Sequence, residues 1–325
     1  MTTSFLKRQF DSWAWVIGGL FLGLSLVGCT GNQDTDQSGK PKVVATNTIL
    51  QDWTAEVAGD EVELVGILQP GADPHVYEPV PADNLRIEQA DLIFYNGYNL
   101  EPGLIKLIES TQKSKVFAVG EVVTPLDFDY EGKREPDPHV WGDAKNAIKM
   151  VNAIRDQLIE LSPEDKEEFT QNAAEFTKEL AAVDQWIGQQ MQTIPPQQRQ
   201  LVTTHDAFQY YAKAYDLTVA GTLIGMSTEE QPSAQTVKRL SDDIKEAKVP
   251  AIFAETTINP ALIKTVAAEA KVKLAEQELY SDSIGAPGTE ADTYIKMLQV
   301  NTRTIVEALG GNYTEFQAAL SEKKE

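Results

Sequence analysis

The chain has 325 residues, is 42% hydrophobic and carries a formal net charge of −21. That length allows two domains or one large one with a substantial core, and the apolar content excludes global disorder. The acidic excess argues against nucleic acid as a partner.

At the N-terminus, Lys7 and Arg8 precede an apolar run over 13–27, too short and too near the terminus for an ordinary transmembrane helix. The run ends in Leu26-Val27-Gly28-Cys29, and Cys29 is the only cysteine. This resembles a bacterial lipoprotein signal, in which small residues precede a cysteine that is lipidated after cleavage. A secretory signal or membrane anchor with an incidental cysteine is the alternative. Residues 1–28 are then a leader, and the mature chain is exported and held at the outer face of the cytoplasmic membrane, or in the periplasm, by a lipid on Cys29. No thiol remains for a disulfide or a thiolate metal site, so metal ligands must be His, Asp or Glu. Residues 29–42, polar and rich in Gly, Asp, Gln and Ser, read as a flexible tether.

The folded body opens with a predicted strand at 43–47 and a helix at 49–58. A second apolar run, 62–68, leads directly into Gly71-Ala72-Asp73-Pro74-His75-Val76-Tyr77-Glu78. Then follow a helix at 81–89, a strand at 92–96, a helix at 104–110 and a strand at 116–119. Residues 124–138, charged and holding three prolines, read as an irregular connection into Asp137-Pro138-His139-Val140-Trp141. A helix at 144–161 closes this half. Short apolar strands alternating with helices predict an α/β fold with a mostly parallel sheet flanked by helices.

Ser162-Pro163-Glu164-Asp165 is a helix start: an N-cap serine, proline at the first position and acids in the first turn. Phe169, Ala173, Phe176, Leu180, Val183, Ile187 and Met191 form one apolar stripe, and the pattern stops at Pro195-Pro196. About thirty residues at 1.5 Å each make a rod of about 45 Å, long enough to join two lobes. A dimerising coiled coil is the alternative, but alanines weaken so short a seam, and a monomer is expected. The second half repeats the pattern: strands at 200–204, 218–223, 251–254 and 274–279, with helices at 234–247, 260–270 and 292–309. The expected organisation is an N-terminal lobe at 43–162, a linking helix at 163–194, a C-terminal lobe at 195–312 and a fraying tail at 313–325.

Two of the three histidines sit in the same setting, Asp-Pro-His-Val-aromatic, and the third, His205, follows the strand at 200–204. Proline stiffens the approach to His75 and His139, and ligands of parallel sheets gather outside the strands' carboxyl ends. Three imidazoles and a carboxylate make a four-ligand site for a divalent ion. Asp282, at the end of the last strand, or Glu255, at the end of the one before, can supply the carboxylate. Asp73 and Asp206, next to histidines, are expected to orient a ring N–H, and Trp141 to shield the site.

From residue 43 to 311 the chain resembles the manganese/zinc solute-binding lipoproteins of ABC-type importers. The resemblance rests on Gly71-to-Pro79, Asp137-to-Trp141, Thr204-His205-Asp206-Ala207-Phe208, Ser227-to-Ser233 and Leu279-to-Gly285. It implies two α/β lobes joined by one long rigid helix, an ABC permease as partner, and Mn2+ or Zn2+ as transported ligand. It places the ligands on His75, His139, His205 and Asp282, choosing Asp282 over Glu255. Many manganese-specific members carry Glu where this chain has His205, and many zinc members carry a His-rich loop that is absent here. The segments at 228–233 and 279–284 look like the manganese-leaning branch, whereas three nitrogen donors favour zinc intrinsically; the lean is to manganese. A zinc-dependent exported enzyme would need an open metal position and a base such as Glu255 or Glu78, and no nucleophile or His-Glu-x-x-His motif occurs. An adhesin or structural lipoprotein would be indifferent to loss of the histidines.

Overall fold

The computed structural model describes residues 39–130 and 133–317. The expected leader, Cys29 and most of the expected tether lie outside the described residues. The described residues from Lys40 onward form one compact unit, and among the described residues no helix is long and apolar enough to cross a membrane.

In the first half, β1 (Lys42–Ala45), α1 (Thr48–Ala58), β2 (Glu63–Gly66), α2 (Pro81–Gln89), β3 (Leu92–Tyr95), α3 (Pro102–Ile108) and β4 (Lys115–Ala118) alternate. The strands form an all-parallel sheet of order β2-β1-β3-β4. Val43, Val44 and Ala45 in β1 and Leu92, Ile93 and Phe94 in β3 are all buried. Such unbroken apolar runs belong to central parallel strands covered on both faces. The Asn47 side chain accepts the Leu50 N–H and starts α1 immediately after β1.

The connection at 124–138 is not irregular. It holds two antiparallel strands, β5 (Asp127–Tyr130) and β6 (Lys133–Pro136). Its charges and prolines hid a period-two alternation, and Pro136 is tolerated because it ends the strand. The next helix, α4 (Ala144–Leu161), is capped by Asp143, whose side chain accepts the Lys145 N–H.

The long helix α5 (Lys166–Gln192) has 27 residues and follows a 3-10 turn over Pro163–Asp165. Ser162 does not cap it; its hydroxyl donates to Asp165 at 2.6 Å. All seven residues of the predicted stripe are buried, against α4, α1 and α9. One apolar cluster runs from Val43 through these helices to Leu309, so both halves share a continuous core. Smaller clusters lie around Ile93 and Leu104 in the first half and around Ile252 and Val266 in the second.

The second half comprises β7 (Gln200–Thr203), α6 (Gln209–Ala214), β8 (Thr218–Thr222), α7 (Ala234–Ala247), β9 (Ala251–Ile252), α8 (Ala261–Ala270), β10 (Lys273–Leu274) and α9 (Tyr294–Ala308). β7 pairs with β8 and β9 with β10, both parallel, and the Phe253 N–H donates to the Val202 carbonyl at 2.9 Å. These are two two-stranded sheets, and that one bond sets the β7 edge beside β9, much as β1 lies beside β3 in the first half. The last two strands are shorter than their sequence suggests, although a parallel bridge between Glu255 and Leu279 continues them past a break.

The described part of the tail, 313–317, is docked rather than frayed. Trp186 of α5 makes edge-on ring contacts with Tyr313 and Phe316. Gln190 and Thr314 bond twice, and the Trp186 indole N–H donates to the Thr314 carbonyl. Trp186 and Gln190, one helical turn apart beside the apolar stripe, form the groove that holds it.

Candidate metal centre

The site is assembled where strands end. In each Asp-Pro-His, the aspartate Oδ1 accepts the backbone N–H of the histidine two residues on, Asp73 for His75 at 2.9 Å and Asp137 for His139 at 3.0 Å. These are Asx turns, and the intervening proline stiffens them. The loop carrying His75 begins at Gly71, whose φ of 82° suits glycine and whose N–H donates to Ser283 Oγ of the second half at 2.8 Å. His205 lies two residues beyond β7, and Asp282 three beyond the Leu279 bridge.

These four side chains converge from both halves. Each is at most 3% exposed, and one donor atom from each lies within 4.8 Å of all the others. His75 Nε2 is 3.2 Å from His139 Nε2. The two Asp282 oxygens divide between the other rings, Oδ1 at 3.5 Å from His139 Nε2 and Oδ2 at 3.2 Å from His205 Nε2. Tetrahedral ligands at zinc bond lengths would lie about 3.3–3.4 Å apart, so the shorter separations match a first-row metal ion. His205 Nε2 and Asp282 Oδ1 are buried and make no well-formed hydrogen bond, their polar neighbours being Asp282 Oδ2 and His139 Nε2. Buried polar atoms are ordinarily paired, and a cation at the centre would satisfy both.

Ring orientation comes from two carboxylates. Asp137 Oδ1 lies 2.8 Å from His139 Nδ1. Glu255 takes the His205 backbone N–H on one oxygen at 2.8 Å and faces Nδ1 with the other at 2.5 Å. A proton on each Nδ1 leaves the Nε2 lone pair directed at the centre. This corrects the expectation for Asp73 and Asp206, neither of which bonds a ring nitrogen. Asp73 instead accepts the Thr228 hydroxyl at 2.6 Å, and Asp206 the Gln209 amide at 2.8 Å. Sequence reading singled out Glu255 but missed Asp137, although it opens the second copy of the repeated motif. The Trp141 ring lies edge-on to His139 at 5.4 Å, and its N–H donates to the Ser281 carbonyl beside Asp282.

The charge balance calls for a cation. Asp137, Glu255 and Asp282 are all buried, and among the described residues their ion-pair partners are the histidine rings alone. Burial opposes a charge on His205, but the Glu255 and Asp282 carboxylates outweigh it and hold the imidazolium well above the ordinary histidine range. Burial also opposes ionisation of Asp282, yet the imidazoles, His205 foremost, pull its carboxyl well below the usual range. His75 is depressed to about 3 by burial, against the pull of Asp282. One divalent ion would offset two of the three negative charges without a buried lysine or arginine.

A cavity of about 540 Å³ is lined by His75, Tyr95, Tyr98, Met226 and Ser227. Glu109, Glu121 and Glu135 also line it, giving the approach a negative potential that attracts cations.

Residues 43–308 match the family described as zinc-uptake complex component A, periplasmic. The chain belongs to this family. Among its relatives, the metal ABC transporter substrate-binding lipoprotein FimA of Streptococcus parasanguinis is 36% identical over 300 residues, covering 89% of this chain and 96% of that protein. The manganese ABC transporter substrate-binding lipoprotein PsaA of Streptococcus anginosus is 35% identical with the same coverage. Among solved structures, the periplasmic zinc binding protein TroA from Treponema pallidum superposes with a TM-score of 0.80 at 35% identity, over 83% of this chain and 99% of that one. Family membership thus accords with the α/β architecture and long helix already described.

Proposed function

We propose that this chain is the extracytoplasmic, membrane-anchored binding lipoprotein of an ABC importer for a divalent transition metal, held by His75, His139, His205 and Asp282. The observation that carries the reading is the convergence of those four buried side chains, with donor atoms that make no well-formed hydrogen bond and two ring-orienting carboxylates behind them. The relatives' names supply the transport role: substrate-binding lipoproteins of metal and manganese ABC transporters.

The metal is cargo. The chain's part is to shed the ion's water, replace it with directed lone pairs, and present the loaded protein to a permease. His75 and His139 come from the first half, His205 and Asp282 from the second, so capture ties the halves together. Gly71 to Ser283 and Asp73 to Thr228 are bonds that the same closure forms. The shared core along α5 restrains wide hinge opening, so loading and release proceed by small tilts and loop rearrangement. A lipid on Cys29 and the tether after it would hold the protein, as a monomer, at the outer face of the cytoplasmic membrane. Manganese is the favoured cargo: both Asp282 oxygens face the centre, permitting more than four donor atoms, and the PsaA relative is named for manganese.

An enzymatic reading lacks its base. Both oxygens of Glu255 are committed to His205, and Glu78 is exposed. The deciding test is competition dialysis of the chelator-stripped protein against equal manganese and zinc at pH 7.5, with elemental analysis and His205→Ala as control. One equivalent in the wild type, lost in the variant, is expected. Less than about 0.2 equivalents of either metal would sink the binding reading.

A further inference from the structure

Behind His139 lies a buried polar relay that none of the ligand or ring-orienting contacts uses. Glu101, at the start of α3, is fully buried. Its Oε1 accepts the Thr46 hydroxyl at 2.7 Å and the Asn96 backbone N–H at 2.8 Å. Thr46 follows β1 and Asn96 follows β3, so one carboxyl oxygen joins the carboxyl ends of the two central strands. The Asn96 side-chain amide then donates to the carbonyls of Gly97 at 3.1 Å and Pro138 at 2.9 Å. Pro138 is the residue before His139. Asn96 is itself held: its carbonyl accepts the Gly120 N–H at 2.8 Å, and a Cβ at position 120 would meet that carbonyl at 2.6 Å.

The arrangement costs stability. Glu101 Oε2 and Asn96 Oδ1 are buried without a partner, and burial pushes the Glu101 carboxyl up to about 7, against the Asn96 and Thr46 bonds. An aliphatic residue would fill this space without that penalty. It could not, however, hold Thr46 and Asn96 together.

Resting on the metal-capture reading above, we propose that Glu101 and Asn96 are positioning residues: through the Pro138 carbonyl they fix the approach of His139, and thereby the size of the ligand cage and its preference among divalent ions. Two points fix His139 against the centre, the Asp137 carboxylate on its ring and backbone and the Asn96 amide on the preceding carbonyl. Releasing the second lets the loop relax and the donors draw in around an ion that tolerates four short bonds. Zinc does so, whereas manganese prefers more oxygen-rich, higher coordination.

The test compares wild type, Asn96→Ala, Glu101→Ala and Glu101→Gln in the full-length protein. Dissociation constants for manganese and zinc are measured, together with the visible absorption of the cobalt(II)-loaded form, which reports coordination number. Asn96→Ala and Glu101→Ala should weaken manganese about 10–100-fold, weaken zinc less, and alter the cobalt spectrum. Glu101→Gln keeps an acceptor for Thr46 and Asn96 and should stay near wild type. Wild-type metal ratios and an unchanged cobalt spectrum in Asn96→Ala would overturn the proposal, even if its melting temperature fell. Should Glu101→Ala fail to fold, Asn96→Ala decides alone. A wild type that binds no metal would remove the capture reading itself, a result distinct from either.

Discussion

Glu255→Gln is the sharpest probe of how the second half presents its histidine. The glutamate is fully buried and spends both oxygens on His205, one on the backbone N–H at 2.8 Å and one on Nδ1 at 2.5 Å. Glutamine keeps the shape but has a single acceptor. If its oxygen takes the backbone N–H, its amide faces Nδ1, which must then give up its proton. The imidazole proton moves to Nε2 and points at the metal position, blocking a ligand. If the amide is turned the other way, the ring keeps its tautomer but a buried backbone N–H loses its acceptor, at about 1–3 kcal/mol. Loss of a ring-orienting carboxylate typically lowers metal affinity 10–100-fold, or about 1.4–2.7 kcal/mol. Calorimetric titration of the stripped variant with manganese, with a thermal melt of the metal-free form, separates the two arms. An affinity within twofold of wild type and an unshifted melt would refute the tautomer argument.

Three further outcomes follow from the same contacts. In the metal-free protein the His205 imidazolium is held above the ordinary histidine range while His75 stays neutral down to about 3. Below the raised His205 value the free protein holds a proton that metal must displace, so affinity falls as pH falls, and this begins above pH 6.5. About one proton should be released per ion at pH 7, measured by calorimetry in buffers of different ionisation enthalpy; none released would contradict the assignment. Trp141→Phe removes the N–H bond to Ser281 and should cost about 1 kcal/mol. It should also abolish any metal-dependent change in tryptophan fluorescence, because Trp141 is the indole against His139. Trp186→Ala releases Tyr313, Phe316 and Thr314 from α5 and should destabilise by about 3 kcal/mol. It should leave metal affinity unchanged, since Trp186 touches none of the four donors; a tenfold loss would show the tail to be coupled to the site.

Much of this was legible because the signals were periodic or repeated. The stripe from Phe169 to Met191 has one face and no glycine until 188, so α5 could be read almost to its ends. Asp-Pro-His occurs twice, and two copies carried more than either histidine alone. What escaped depended on tertiary distance. Asp73 and Asp206 sit next to histidines in sequence, but an Asx turn spends the first on backbone and its second oxygen reaches Thr228, 155 residues away. Glu255, fifty residues from His205, orients that ring instead. Asn96 and Glu101 show no spacing that points to a site, since their role exists only once β1 and β3 lie side by side. The ribbon of β5 and β6 was obscured by charge and proline, and the docked tail by its polar composition.

The most direct test of the central claim is a crystal structure of the manganese-loaded protein with anomalous data collected on both sides of the manganese edge. The account predicts one strong anomalous peak bonded to Nε2 of His75, His139 and His205 and to the Asp282 carboxylate. A peak elsewhere, or none at this position in protein carrying one equivalent of metal, would contradict it.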